Sequence, residues 1–237
     1  MSLRRSVEPE ILDHMPPDDA RAVRARGDLK RVNAVIMQTD IMGRLLAAHW
    51  GETAPRTILD LGTGDGAFML TVARRLKARW SGVTVTLLDR HSIVSRETQD
   101  AFAALGWRAD PVASDVLAFL EALPPASVDI ITTNLFLHHF TEAQLARLLE
   151  LAARAAPLLV ACEPRRNKFA LRSSRLLWAI GLNEVILHDA IVSVRAGFGG
   201  QELSALWPRD SGFDLDEHPA WLFTHCFVAR RRERKTA

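Results

Sequence analysis

The sequence predicts an α/β fold on a mostly parallel sheet, and three observations carry that reading. Strand-like runs at 57–60, 83–89, 128–134 and 158–163 alternate with helix-like runs at 67–79, 94–105, 115–123 and 142–155. Strands separated by helices of this length form right-handed βαβ units and a parallel sheet. The first run ends in an acid and turns on glycine at every second position, Asp60-Leu61-Gly62-Thr63-Gly64-Asp65-Gly66, before a helix begins. After Glu163 the alternation stops, and 212–217 and 222–230 read as two strands across a short turn containing Pro219.

Taken in order, residues 1–54 form a helical N-terminal extension, rich in charge and broken at Pro16-Pro17. Leu29, Val32, Ile36, Met37, Ile41, Leu45, Leu46 and Trp50 recur at helical spacing and predict one long amphipathic helix over 28–50. Its apolar face suits either a lid over the ligand or pairing with a second copy of the chain. Residues 55–237 form the main domain. One further strand is expected within 107–114, although Pro111 interrupts its pattern. Runs 168–180 and 201–207 look helical, and 165–210 reads as an insertion on the substrate side. Phe198-Gly199-Gly200 is either a hinge over the site or a helix boundary.

Composition narrows the function. With 237 residues, 48% apolar and 24% charged, the chain is an ordinary globular protein. No apolar run is long enough to span a bilayer. The basic N-terminus lacks the apolar core of a secretory signal, so a cytosolic location is expected. A net charge of +2, with its basic run confined to Arg230–Lys235, gives no reason to expect a nucleic-acid partner. Cys162 and Cys226 lie within apolar runs and read as buried reduced thiols. There is no tyrosine, which removes the proton donor of many small nicotinamide reductases.

Alternate glycines let the backbone adopt positive φ and approach a ligand with no Cβ in the way. The helix beyond them presents unpaired N–H groups. A dinucleotide turn places its third glycine one residue later. In an open parallel sheet, ligands sit beyond the carboxyl ends of the strands, so the strand-ending residues matter. The second run ends at Asp89-Arg90, where a carboxylate can accept hydrogen bonds from a ligand. The third is followed by Ser114-Asp115-Val116, a further acid at a strand end. The fourth ends at Thr132-Thr133-Asn134. Each acid has a plainer reading: Asp60 holding loop amides, Asp89 capping the next helix, Asp115 capping 116–123.

The D-x-G-x-G-x-G pattern resembles motif I of the class I S-adenosylmethionine-dependent methyltransferases, and the resemblance covers roughly 55–165. It implies a Rossmann-like, seven-stranded, mostly parallel sheet closed by an antiparallel C-terminal hairpin, with S-adenosyl-L-methionine as cofactor. Carried onto this sequence, the cofactor residues are Asp60, Gly62, Thr63, Gly64, Gly66, Asp89, Arg90, Asp115, Val116 and Asn134. The cofactor has no phosphate, so the turn needs close backbone approach rather than an anion cradle. Three flanking stretches are similar to bacterial small-molecule methyltransferases, some encoded beside type III polyketide synthases. They are Val7-Glu8-Pro9-Glu10 with Asp28 to Asn33, Cys162-Glu163-Pro164-Arg165-Arg166, and His188-Asp189-Ala190 through Phe198.

The resemblance implies methyl transfer to a small hydrophobic acceptor, with the oxygen of a phenol or polyketide favoured. Carbon methylation of an aromatic or quinol precursor is the runner-up. A non-catalytic cofactor-binding partner or sensor is the alternative from another class, and a nicotinamide oxidoreductase comes third. Methyl transfer is an in-line displacement, so the protein has to align the nucleophile and remove its proton. A neutral histidine suits that task. His138 and His139, after the fourth strand, are the candidate bases, with His139 the marginal choice; a loop histidine bonded to backbone is the plainer reading. Glu163 either binds substrate or holds nearby arginines. Arg165, Arg166 and Arg195 either pair with a substrate anion or lace the extra helices to the core. His188 and Asp189 are a second base–orienter candidate, and His225 is a core or edge residue. Asn134 is followed by Leu135-Phe136-Leu137, which lacks the Pro-Pro-aromatic signature of amino methylation. No metal-ligand spacing stands out, so no metal is expected.

Overall fold

A computed structural model of the chain describes residues 3–16, 19–35, 37–91, 93–174 and 184–232. Seven strands form one sheet: β1 (Thr57–Leu61), β2 (Thr84–Asp89), β3 (Arg108–Ala113), β4 (Ile130–Asn134), β5 (Leu158–Pro164), β6 (Phe213–Ala220) and β7 (Thr224–Arg231). Their spatial order is β3-β2-β1-β4-β5-β7-β6. The first five are parallel, and β7 runs antiparallel to both β5 and β6. Strand order reverses between β1 and β4, which makes their carboxyl ends the expected ligand position. Pro111 and Pro219 both lie on the edge strands β3 and β6, where a missing N–H costs no central ladder bond.

Strand alternation sends successive side chains to opposite faces. Ile58, Val85, Leu87, Ile130, Leu158, Val160 and Val228 pack on one face with Met42, Leu46, Met69, Val72 and Phe102. Leu59, Leu61, Leu88, Ile131, Leu159, Phe227 and Ala229 pack on the other with Leu120, Leu145, Leu148 and Trp207. The first layer is built by α2 (Gln38–Trp50), α3 (Ala67–Leu76) and α4 (Arg96–Ala103). The second is built by α5 (Val116–Ala122), α6 (Glu142–Ala155) and α9 (Glu202–Leu206). Cys162 and Cys226 face each other across β5 and β7 as buried free thiols, their Sγ atoms 3.9 Å apart.

The long helix expected over 28–50 is two helices. α1 (Ala20–Val35) stops before Met37, whose φ of 58° lies in the left-handed region, and α2 starts immediately after. The break lets α2 lay Ile41, Met42 and Leu46 against α3 and the sheet, while α1 turns towards α8 (Glu184–Ala196). The apolar face of α2 is therefore spent on the core rather than on a lid. Ile36 lies outside the described residues. So does the second half of the helix expected over 168–180, of which α7 (Lys168–Ser174) is described. Among the described residues, no helix is long and apolar enough to cross a membrane.

Candidate active site

The glycine turn is held by backbone at one end and by a side chain in the middle. Gly62 and Thr63 donate their N–H groups to Leu88 O at 2.9 and 3.1 Å, tying the turn to the end of β2. Gly62, Gly64 and Gly66 have φ of 69°, 58° and 76°, the left-handed region in which an L side chain is strained. A Cβ at Gly62 would lie 2.2 Å from the Phe136 ring, whereas one at Gly64 would meet no protein atom within 4 Å. Gly62 is thus required for packing, and Gly64 presents bare backbone to the space above the sheet.

Asp89 accepts from Gly64 N at 2.8 Å through one oxygen and from His91 N at 3.0 Å through the other. It does not cap α4, whose N-cap is Ser95. Each carboxylate oxygen keeps a lone pair for a diol. Asp60 does not hold the loop amides; its Oδ1 accepts from the Thr132 hydroxyl at 2.8 Å. Burial raises its pKa to about 6, with the Thr132 hydrogen bond opposing and the charge of Asp89 adding to the rise. Asp115 does cap α5, accepting from Leu117 N and Ala118 N through Oδ1. Its Oδ2 lies 4.0 Å from the Arg90 guanidinium, both side chains being exposed, and Val116 is buried. At the end of β4, Thr133 Oγ1 and Asn134 Oδ1 are buried with no hydrogen-bond partner among the described residues. Bare backbone at Gly64, a diol-ready acid and two unsatisfied polar atoms fit an adenosyl ligand with a polar tail.

The loop after β4 is built around Glu163. This fully buried carboxylate, at the end of β5, accepts from the N–H groups of Phe136, Leu137 and His138 at 3.0, 2.9 and 3.3 Å. Its Oε2 also lies 2.8 Å from His138 Nδ1. Glu163 therefore holds neither substrate nor arginine; it orders the turn that carries both histidines. His138 Nε2 lies 3.2 Å from Glu10 Oε1, on the N-terminal segment. Burial disfavours the His138 imidazolium, but the two glutamates outweigh it and raise the pKa to about 9. Both ring nitrogens of His138 are committed to carboxylates. His139 is only half-buried, its ring 4.2 Å from that of His138 and 6.4 Å from Phe136. The sequence spacing shows no metal cluster, yet the fold brings ligand atoms of Glu10, His138 and His139 within 4.8 Å of one another.

The N-terminal segment crosses this region as a strap. Arg5 donates to the carbonyls of Ala196, His138 and Phe140 and stacks on Phe198. Asp189, buried on α8, accepts from Ile11 N and Leu12 N at 2.8 and 3.0 Å, and His188 Nδ1 lies 3.1 Å from it. Arg166 laces the extra segments together through Leu3 O, Gly197 O and Glu202, while Arg165 donates to Trp221 O. His225 is a core residue, 2.9 Å from Glu217, which also accepts from the first amides of α9. Phe198 is pinned to the end of β5 by paired backbone bonds with Pro164 and Arg166, so it is no hinge. Sequence reasoning missed the roles of Glu10 and Asp189 in this strap. Their partners are 128 and 178 residues away, beyond any local pattern.

Residues 58–156 match a family described as a methyltransferase domain. No curated protein matches the chain. Among solved structures, it is similar to an O-methyltransferase family protein from Burkholderia thailandensis at 19% identity and a TM-score of 0.60, covering 94% of this chain and 62% of that one. The pyocyanin biosynthetic protein PhzM is similar at 23% identity and a TM-score of 0.61, covering 93% and 60%. The plantazolicin methyltransferase BpumL, solved with a desmethylPZN analog and S-adenosylhomocysteine, is similar at 13% identity and a TM-score of 0.60, covering 90% and 91%. The chain thus spans about three-fifths of the first two and nine-tenths of the third. Sheet order and the solved neighbours agree on the fold: the chain is a Rossmann-like, mostly parallel seven-stranded sheet closed by an antiparallel hairpin, and its residues 58–156 match the methyltransferase domain.

Proposed function

We propose that this chain is an S-adenosylmethionine-dependent methyltransferase acting in the cytosol on the oxygen of a small phenolic or polyketide acceptor. The observation that carries the reading is the Gly64 amide bonded to Asp89 at the carboxyl ends of β1 and β2, beside bare glycine backbone. Asp89 binds the ribose diol, and Asp115 with Arg90 faces the base, with Val116 beneath it. Asn134 Oδ1 and Thr133 Oγ1 take up the polar amino-acid end. The cofactor, when bound, supplies an electrophilic sulfonium methyl group. The protein excludes water with Phe136 and Phe140 and aligns the acceptor. His138 has both ring nitrogens bonded to carboxylates, so it is not the base that takes the acceptor's proton. The flanking sequence similarity and the O-methyltransferase name of one structural neighbour support the choice of oxygen.

Calorimetric titration with S-adenosylmethionine, S-adenosylhomocysteine and NADH tests the reading. Saturable one-site binding of both adenosyl ligands and none of NADH is expected, and Asp89→Ala and Gly64→Arg should each abolish it. Binding of NADH alone, or undiminished adenosyl binding in both variants, overturns it.

A further inference from the structure

We propose that Glu10, His138 and His139 form a site for one divalent transition-metal cation of the zinc type, on the acceptor side of the loop after β4. The three side chains come from segments far apart in the sequence and offer ligand atoms within 4.8 Å of one another. Glu10 Oε1 and His138 Nε2 are already 3.2 Å apart. Neighbouring ligands around a tetrahedral ion with bonds of about 2.0–2.1 Å lie about 3.3 Å apart. Adjacent residues on a helix normally diverge by about 100°. Here the 3₁₀ turn Leu137–His139 brings both imidazoles to one side, with ring centroids 4.2 Å apart.

The groups behind the ligands are those a metal site needs. Glu163 Oε2 lies 2.8 Å from His138 Nδ1, which fixes that nitrogen as the N–H and turns the Nε2 lone pair towards Glu10. Ser193 donates its hydroxyl to Glu10 Oε1, and α8 holds the strap in place through Asp189. Glu163 is itself fixed by three loop amides, so the outer shell is rigid. Two imidazoles and one carboxylate select a borderline cation over magnesium or calcium, which prefer all-oxygen cages. Three protein ligands leave an open position, the arrangement of catalytic rather than structural zinc.

Binding does not depend on the methyl-transfer reading, but the ion's role rests on it. The ion would supply Lewis acidity there: an acceptor hydroxyl in the open position would lose its proton to solvent more readily, as metal-bound water does. Its oxygen then forms a bond to the methyl carbon as the carbon–sulfur bond breaks, and the sulfur keeps that electron pair.

The test is titration of the chelator-stripped full chain with cobalt(II), followed by its visible absorption, and with zinc(II) by calorimetry. One saturable cobalt per chain, with the intense bands of low coordination and displacement by zinc, is expected. Glu10→Gln and His139→Asn should each weaken binding by at least about tenfold. Binding of S-adenosylhomocysteine by the same variants shows that they are folded. No stoichiometric binding, or equal affinity in both variants, overturns the metal site. If cobalt binds as expected while S-adenosylhomocysteine does not, the metal site stands and the methyltransferase reading falls.

Discussion

The two halves of the candidate site are built by opposite means. On the cofactor side, Gly62 to Gly66 and Asp89 act through backbone conformation and bonds between neighbouring strand ends. On the proposed acceptor side, Glu163, His138 and Glu10 form a buried chain of ionisable groups joining β5, the loop after β4 and the N-terminal strap. The first half is a shape that a short sequence specifies, and the second is a set of charges that only the finished fold assembles. They should therefore fail differently when broken.

The largest effect is expected at Glu163. Removing it strands three loop amides, those of Leu137 and His138 buried, and one side of His138, and breaking a buried ionic pair costs about 3–5 kcal/mol. Urea unfolding of Glu163→Ala should show a loss of that size. Asp115→Ala, on the cofactor side, removes only a half-exposed helix cap, worth about 1 kcal/mol. Equal losses in the two would remove the contrast. Gly62 and Gly64 sharpen it within the cofactor side. Gly62→Ala meets the Phe136 ring as well as left-handed strain, so about 3 kcal/mol is expected. Gly64→Ala meets strain alone, roughly 1–2 kcal/mol. If both cost the same, Phe136 moves freely and does not define the wall of the turn.

This division explains what the sequence reveals. Strand-ending acids, the glycine turn and the C-terminal hairpin are contiguous patterns whose periods follow from backbone geometry, and all appear in the structure. Met37 is different: its left-handed φ is imposed by the need of α2 to reach the core, and nothing in the apolar spacing of 28–50 marks a break. Asp115 matched its plainer reading as a cap, while Asp60 and Asp89 did not match theirs, because carboxylates look alike until their donors are known. Glu163 was visible as a strand-end acid, but its partners were not.

The strap provides a smaller test. Asp189→Asn keeps the shape but aims an amide N–H₂ at one of two backbone donors, and lost charged hydrogen bonds cost about 2 kcal/mol. Hydrogen exchange at Ile11 and Leu12 should quicken, while exchange in the glycine turn stays unchanged. Quickening in both places would mean that the two halves are not separable.

The smallest effect is expected at Asp60, and its sign is opposite. This acid sits between the halves, its pKa raised to about 6 by burial, so the folded chain holds a proton there more tightly than the unfolded chain does. The folded state then takes up protons as pH falls from about 6 towards about 4, and stability rises on that path. Above the folded pKa the buried charge is a cost. The full rise from 3.8 to about 6 corresponds to about 3 kcal/mol, an upper bound. Asp60→Asn removes the charge but leaves an amide N–H₂ to satisfy, so a net gain of about 1 kcal/mol is expected near pH 7.5, vanishing by about pH 4. Urea unfolding of both chains at those two pH values decides it. A gain that is the same at both would mean that packing, not charge, is what Asp60 costs. A loss at the higher pH would show the ionised carboxylate to be a stabilising partner of the Thr132 hydroxyl, and would move Asp60 from the buried charges to the hydrogen-bonded frame of the turn.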